Sequence, residues 1–135
     1  MFMSECIFCR ITRGDLPCFK VYEDKDFLAF LDIRPLNQGH TLVIPKKHYR
    51  WVWDVENIGE YYIVVGKIAR AIKKSFQTDY VVSFVFGEEV GHAHVWLVPR
   101  LPCDEHGSTI DLRNIKKLSE HEMRDAMEKI KNNIK

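Results

Sequence analysis

The segment from Asp54 to Phe76 carries Val55, Ile58, Tyr62, Val65, Ala69, Ile72 and Phe76 at spacings of three and four. That spacing lays apolar side chains along one stripe of an α-helix, which must be buried against something. Asp54 is a suitable N-cap for it. The flanking chain supplies a sheet. Phe19–Tyr22 and Phe27–Asp32 are strand-like runs around the turn-forming Glu23-Asp24-Lys25-Asp26, which predicts a hairpin. Thr41–Ile44 is a third run, limited by Pro45, which cannot donate to a ladder. Tyr80–Phe86 and His92–Val98 are two more, joined through Gly87-Glu88-Glu89, and Ser119 opens an amphipathic helix carrying Met123, Met127, Ile130 and Ile134. The order β-β-β-α-β-β-α predicts an α+β fold, a mostly antiparallel five-stranded sheet with a long covering helix and a C-terminal helix.

A length of 135 residues with 46% apolar side chains suits one domain over 1–135. Its core is expected in 6–100, with a loop and the terminal helix over 101–135. Twenty basic and nineteen acidic side chains leave a formal charge of +1, which argues against a protein built to hold nucleic acid. No basic start precedes an apolar run and no stretch approaches eighteen apolar residues, so neither a signal peptide nor a membrane span is expected and the chain reads as cytoplasmic. Gly59 and Gly66 each weaken the long helix by about 1 kcal/mol relative to alanine. They mark either close packing against a partner or a tolerated defect.

In Gly91-His92-Ala93-His94-Val95-Trp96-Leu97-Val98-Pro99-Arg100, alternation along a strand puts His92, His94 and Trp96 on one face. Two imidazoles projecting together are an unusual choice for a sheet, because each ring nitrogen needs a partner. Read alone, they could be satisfied core histidines. The run resembles the signature of the histidine triad (HIT) family, His-x-His-x-His followed by apolar residues and often Pro-Arg. The stretches Cys6–Ile11, Val21–Asp24, Leu28–Pro35 and Gly39–His48 also match that family in order and approximate spacing, so the resemblance covers residues 6–100.

The resemblance implies nucleotide chemistry and usually a homodimer formed through the long helix and a sheet edge. The middle histidine, here His94, would attack the α-phosphate of a nucleotide derivative, a dinucleoside polyphosphate or nucleoside phosphoramidate. A nucleotidyl-histidine would form, to be resolved by water or another acceptor. Neutral imidazole is a competent nucleophile near neutrality when its other nitrogen is held by a hydrogen bond. His92 belongs to the same triad, and His40 matches a separate histidine that orients it. Asp32 matches the group that binds the ribose hydroxyls, with Phe30, Ile33 and Phe8 walling a purine base. Read by itself, Asp32 is an ordinary strand-end acid.

Two positions depart from the family. Trp96 stands where a third histidine is usual, and an indole N–H donates a hydrogen bond but transfers no proton at neutral pH. Loss of a positioned general acid commonly costs about 10² to 10⁴ in rate, most for amine leaving groups and least for phosphates. Glu88 stands where the family often offers an amide to phosphate, and its charge opposes an anionic substrate unless it points away.

Cys6, Cys9, His48 and His92 resemble the zinc site of some members, and two thiolates with two imidazoles form a standard structural zinc set. The bland reading is a pair of reduced thiols. A nucleotide-binding protein without turnover, and a zinc-stapled interaction module, stand as alternatives to the enzyme. Cys18, Cys103, His106 and His121 carry no expected role.

Overall fold

A computed structural model of the protein describes residues 6–134. Cys6 caps a short helix, α1 (Ile7–Thr12), its sulfur accepting the Cys9 N–H. Strands β1 (Lys20–Glu23), β2 (Phe27–Leu31) and β3 (Thr41–Pro45) follow, then helix α2 (Ile58–Phe76), strands β4 (Val81–Phe84) and β5 (Val95–Pro99), and helix α3 (Glu120–Asn133). The sheet runs β1-β2-β3-β5-β4 with every neighbouring pair antiparallel.

β2 and β3 are buried along their whole length, so the sheet is covered on both faces. Ala29, Leu31, Val43, Val95 and Leu97 face the core built by α2 and α3. Leu28, Phe30, Leu42 and Ile44 face the other way, into a smaller cluster closed by Cys6, Phe8 and Cys9 of α1 and by Trp96. That second face holds the histidines. The anchors of α2 include Tyr61, whose ring stacks on Phe27 at 5.3 Å and whose hydroxyl donates to the Val43 carbonyl at 2.6 Å.

Several boundaries depart from the sequence reading. Asp54 lies in a 3-10 turn, Val52–Asp54, and Asn57 precedes the first residue of α2. The last strand begins at Val95, so His92 and His94 precede it. Tyr80 and Phe86 fall outside β4. The helix α1 was not expected; six residues are too few for a legible period. α3 starts as expected behind Ser119, where a capping box with Glu122 satisfies two N–H groups. Gly59 would meet nothing within 4 Å as alanine, and Gly66 only the end of Arg70, so within one chain neither glycine marks close packing.

Candidate functional site

His92 and His94 are held where the chain approaches β5, strapped by Ala93, whose N–H donates to the Tyr49 carbonyl at 2.7 Å. Both rings meet Phe8 edge-on, at 5.8 and 5.3 Å between centroids, and Phe8 in turn stands edge-on to Phe30 at 5.5 Å. The shared face expected from alternation is therefore kept, although the two histidines are not in the ladder.

Each imidazole has a defined tautomer, because a carbonyl oxygen can only accept. His94 donates Nδ1–H to the His92 carbonyl at 2.7 Å, which leaves Nε2 with its lone pair. His92 donates Nε2–H to the Pro45 carbonyl at 2.8 Å, which leaves Nδ1 as an acceptor. His40 accepts the Leu36 N–H at Nδ1, 3.1 Å away, so its proton sits on Nε2. That Nε2 is buried without a hydrogen-bond partner among the described residues. It lies 3.6 Å from Oδ2 of Asp32, while the His40 ring packs 4.9 Å from Trp96.

Burial sets the charges. It lowers His40 to about 3, helped by His94, and His92 to about 4. His94 is lowered by burial and then by the positive charge of Arg50, against the opposing effect of its bond to the His92 carbonyl. All three are neutral at pH 7. Burial raises Asp32, against the Arg34 N–H that donates to its Oδ1 at 2.8 Å.

The expected pocket residues divide. Phe8 and Phe30 are buried beside the histidines, whereas Ile33 stands 76% exposed and buries little of itself against a wall. Trp96 is half-buried between His40 and Phe86, whose ring is 5.0 Å away. Glu88 and Glu89 are both exposed, and Glu89 is a carboxylate that raises both Asp32 and His94. Sequence reasoning passed over Arg50, which carries no motif.

Beside this group lie four potential metal donors. The ligand atoms of Cys6, Cys9, His48 and His92 all fall within 4.8 Å of one another. Cys6 Sγ is 3.3 Å from His92 Nδ1, and Cys9 Sγ is 3.3 Å from His48 Nδ1 and 3.5 Å from His92 Nδ1. Two thiols and two imidazoles, with His92 Nδ1 freed by the carbonyl on its other nitrogen, fit a tetrahedral metal. Without a metal, burial, the Cys6 hydrogen bond and the Cys6 charge push the Cys9 thiol up to about 11. A cation held by these donors would invert that.

Sequence reasoning also gave His106 no place, yet it is buried. Its Nε2–H donates to the Leu36 carbonyl at 2.7 Å, and its Nδ1 accepts the Asp111 N–H at 3.1 Å. Asp104, equally buried, accepts from Asn37 Nδ2 at 3.0 Å, Arg100 Nε at 2.9 Å and the Leu101 N–H at 3.0 Å. Lys116 N–H reaches the Pro35 carbonyl at 2.7 Å. The segment after β5 therefore grips the loop between Asp32 and His40.

Among the described residues no helix is long and apolar enough to cross a membrane. Residues 13–102 match the model of the HIT domain. Adenosine 5'-monophosphoramidase hnt1 of Schizosaccharomyces pombe is 36% identical over 105 residues, spanning 76% of this chain and 78% of that one. Among solved structures, a Hit-like protein of Bartonella henselae involved in cell-cycle regulation superposes with a TM-score of 0.85 at 33% identity, covering 98% of both chains. A Zn-bound histidine triad family protein of Mycobacterium smegmatis does so with a TM-score of 0.79 at 30% identity, over 98% of this chain and 94% of that one. With its buried histidines, its α+β sheet and a domain match over most of its length, the chain belongs to the HIT family.

Proposed function

We propose that the protein is a nucleotide hydrolase or nucleotidyltransferase that works at the α-phosphate of a nucleotide derivative, with His94 as nucleophile. The observation that carries this reading is the bond from His94 Nδ1–H to the His92 carbonyl, which presents an unprotonated Nε2. In the first step the Nε2 lone pair forms an N–P bond while the bond from phosphorus to the leaving group breaks, and that group departs with the electron pair. The charge that develops on the His94 ring is stabilised by the carbonyl on Nδ1. Water then attacks phosphorus and releases a proton to solvent as the new P–O bond forms, the N–P bond breaks, and the lone pair returns to Nε2. The name of the Schizosaccharomyces pombe relative, a monophosphoramidase, supports this reaction class.

In this reading Asp32 accepts the ribose hydroxyls with its Oδ2, while Phe8, Phe30 and Ile33 border a purine of a nucleotide or dinucleotide substrate. His40 orients the group, and Trp96 lies against it. His92 serves the site through its carbonyl and, by Nδ1, the metal set. Cys6, Cys9, His48 and His92 would hold zinc as a structural ion, as the Zn-bound relative suggests; bound there, it would fix the strand entry without entering the reaction. We further propose one cytoplasmic domain with reduced cysteines. Among the described residues the outer edge of β4 has no neighbour in the sheet, and Tyr62, Ile63, Tyr80 and Phe86 are exposed. Both features suit a homodimer through that edge and α2.

The test is a nucleotidyl-protein adduct, trapped after mixing with a nucleoside phosphoramidate or a dinucleoside polyphosphate and read by mass spectrometry. The adduct is expected in the wild type, absent in His94→Ala and retained in Trp96→His. Trp96 favours a second reading, nucleotide binding without turnover, because its indole cannot supply a proton. A nucleotide that raises the melting temperature while no adduct or product forms would establish that reading instead.

A further inference from the structure

The loop that carries the triad is bordered by a cation that the site as described does not use. Arg13, Arg100, Arg113 and Arg124 each hold a carboxylate; Arg10, Arg34, Arg50 and Arg70 hold none among the described residues, and of these Arg50 is the one that packs on the turn into His92 and His94. Its guanidinium lies instead over the Trp51 ring, 3.8 Å from the centroid. Stacking of this kind fixes the guanidinium plane while leaving its N–H donors unspent. The neighbouring loop is shaped to it. A Cβ at Gly87 would come within 2.4 Å of the Trp51 ring and 3.2 Å of an Arg50 Nη, and one at Gly91 within 3.5 Å of Arg50 Nε. The Ala93 N–H to Tyr49 carbonyl bond ties the two segments in register, which sets Arg50 alongside the turn into His92 and His94.

We infer that Arg50 is an anion subsite, a specificity-determining residue that receives a phosphate or sulfate attached beyond the α-phosphate of the nucleotide. The inference rests on the reading of His94 as the group that meets the α-phosphate. An arginine with free donors recognises phosphate oxygens in a fork that a lysine cannot reproduce. Glu89 belongs to the loop between Gly87 and Gly91 that packs on Arg50, and a carboxylate there opposes a second anion, so without Arg50 the loop would repel a polyphosphate chain. The favoured substrate class is therefore a nucleotide whose leaving group is itself an anion, in preference to one leaving as a neutral amine. Such leaving groups depart without a proton, which Trp96 could not supply.

The experiment is calorimetric titration of the full chain with ADP and with AMP, for the wild type, Arg50→Gln and Trp51→Leu. ADP is expected to bind the wild type about 10- to 100-fold more tightly than AMP, the range of a hydrogen-bonded charge. Arg50→Gln is expected to erase that preference with AMP affinity kept, and Trp51→Leu to reduce it. An unchanged ADP-to-AMP ratio in Arg50→Gln, or no preference in the wild type, would overturn the inference while leaving the reading of His94 intact. If neither nucleotide binds the wild type, the underlying reading fails as well. An Arg50-dependent preference in a protein that forms no adduct would support the subsite and overturn only the chemistry.

Discussion

His94 donates its Nδ1 proton to the carbonyl of His92, 2.7 Å away, so one residue of the pair fixes the tautomer of the other through the backbone. Burial and Arg50 hold His94 below its ordinary value. The neutral form is the reactive one, so adduct formation is expected to stay flat through pH 7 and above on this group's account and to decline only below about pH 6.5, the unperturbed value. A stopped-flow profile that declines on the alkaline side of neutrality would contradict the assignment.

His40 gives a stability prediction. Its folded value of about 3 lies far below the unperturbed one, so the unfolded chain binds the extra proton between those two. Stability is therefore present above about pH 6.5 and is lost as the solution is acidified toward pH 3, at up to about 1.4 kcal/mol per pH unit. Urea titrations of the wild type and His40→Asn over that window are expected to differ in slope, the variant being flatter.

Removing a donor from the four-residue set tests the metal. Zinc content near one per chain is expected by elemental analysis, and Cys9→Ser is expected to lose it. The melting temperature should fall by about 5 °C or more, the shift of a 1–2 kcal/mol loss in a domain of this size. Chelator should lower the wild type by a similar amount and leave Cys9→Ser unmoved.

The grip on the Asp32–His40 loop should be stronger than its sequence suggests. Asp104→Ala strands donors on Asn37, Arg100 and Leu101, and an acid paired in this way is expected to cost about 3–5 kcal/mol when removed. His106→Ala leaves the Leu36 carbonyl unpaired and should cost about 1–3 kcal/mol. Hydrogen exchange at the Leu36 and His40 amides is expected to quicken in both variants, with the middle of α2 unchanged.

Gly39 joins the same loop to the end of α2. Its φ is +93°, and a Cβ there would sit 2.4 Å from the Phe76 ring. Gly39→Ala therefore meets both backbone strain and a clash, and is expected to destabilise by about 2 kcal/mol or more. In Phe76→Leu the same substitution should cost less but not nothing, because only the clash is relieved; equal costs in both backgrounds would deny the contact.

What could be read from the sequence was whatever repeats. The stripe from Val55 to Phe76 reports the helix but not its exact face, since Tyr61, Val64, Val65, Ile68, Ala71 and Ile72 are the buried residues of α2 and Tyr62 is exposed; the Cys6, Cys9, His48 and His92 set was legible through family spacing. The unread parts have no period. α1 is shorter than two turns, and His106 gains its partner from Leu36, far away in the chain. Arg50 needs the position of Gly87 before it means anything.

Pro45 ends β3, and its carbonyl is spent on His92 Nε2 at 2.8 Å. The sheet and the sulfur–nitrogen cluster are thus joined through one imidazole, Nε2 on the strand end and Nδ1 on the sulfurs. Fraying of that strand end would release His92 from its orientation, so the ring that faces both cysteines is held in place by the sheet itself.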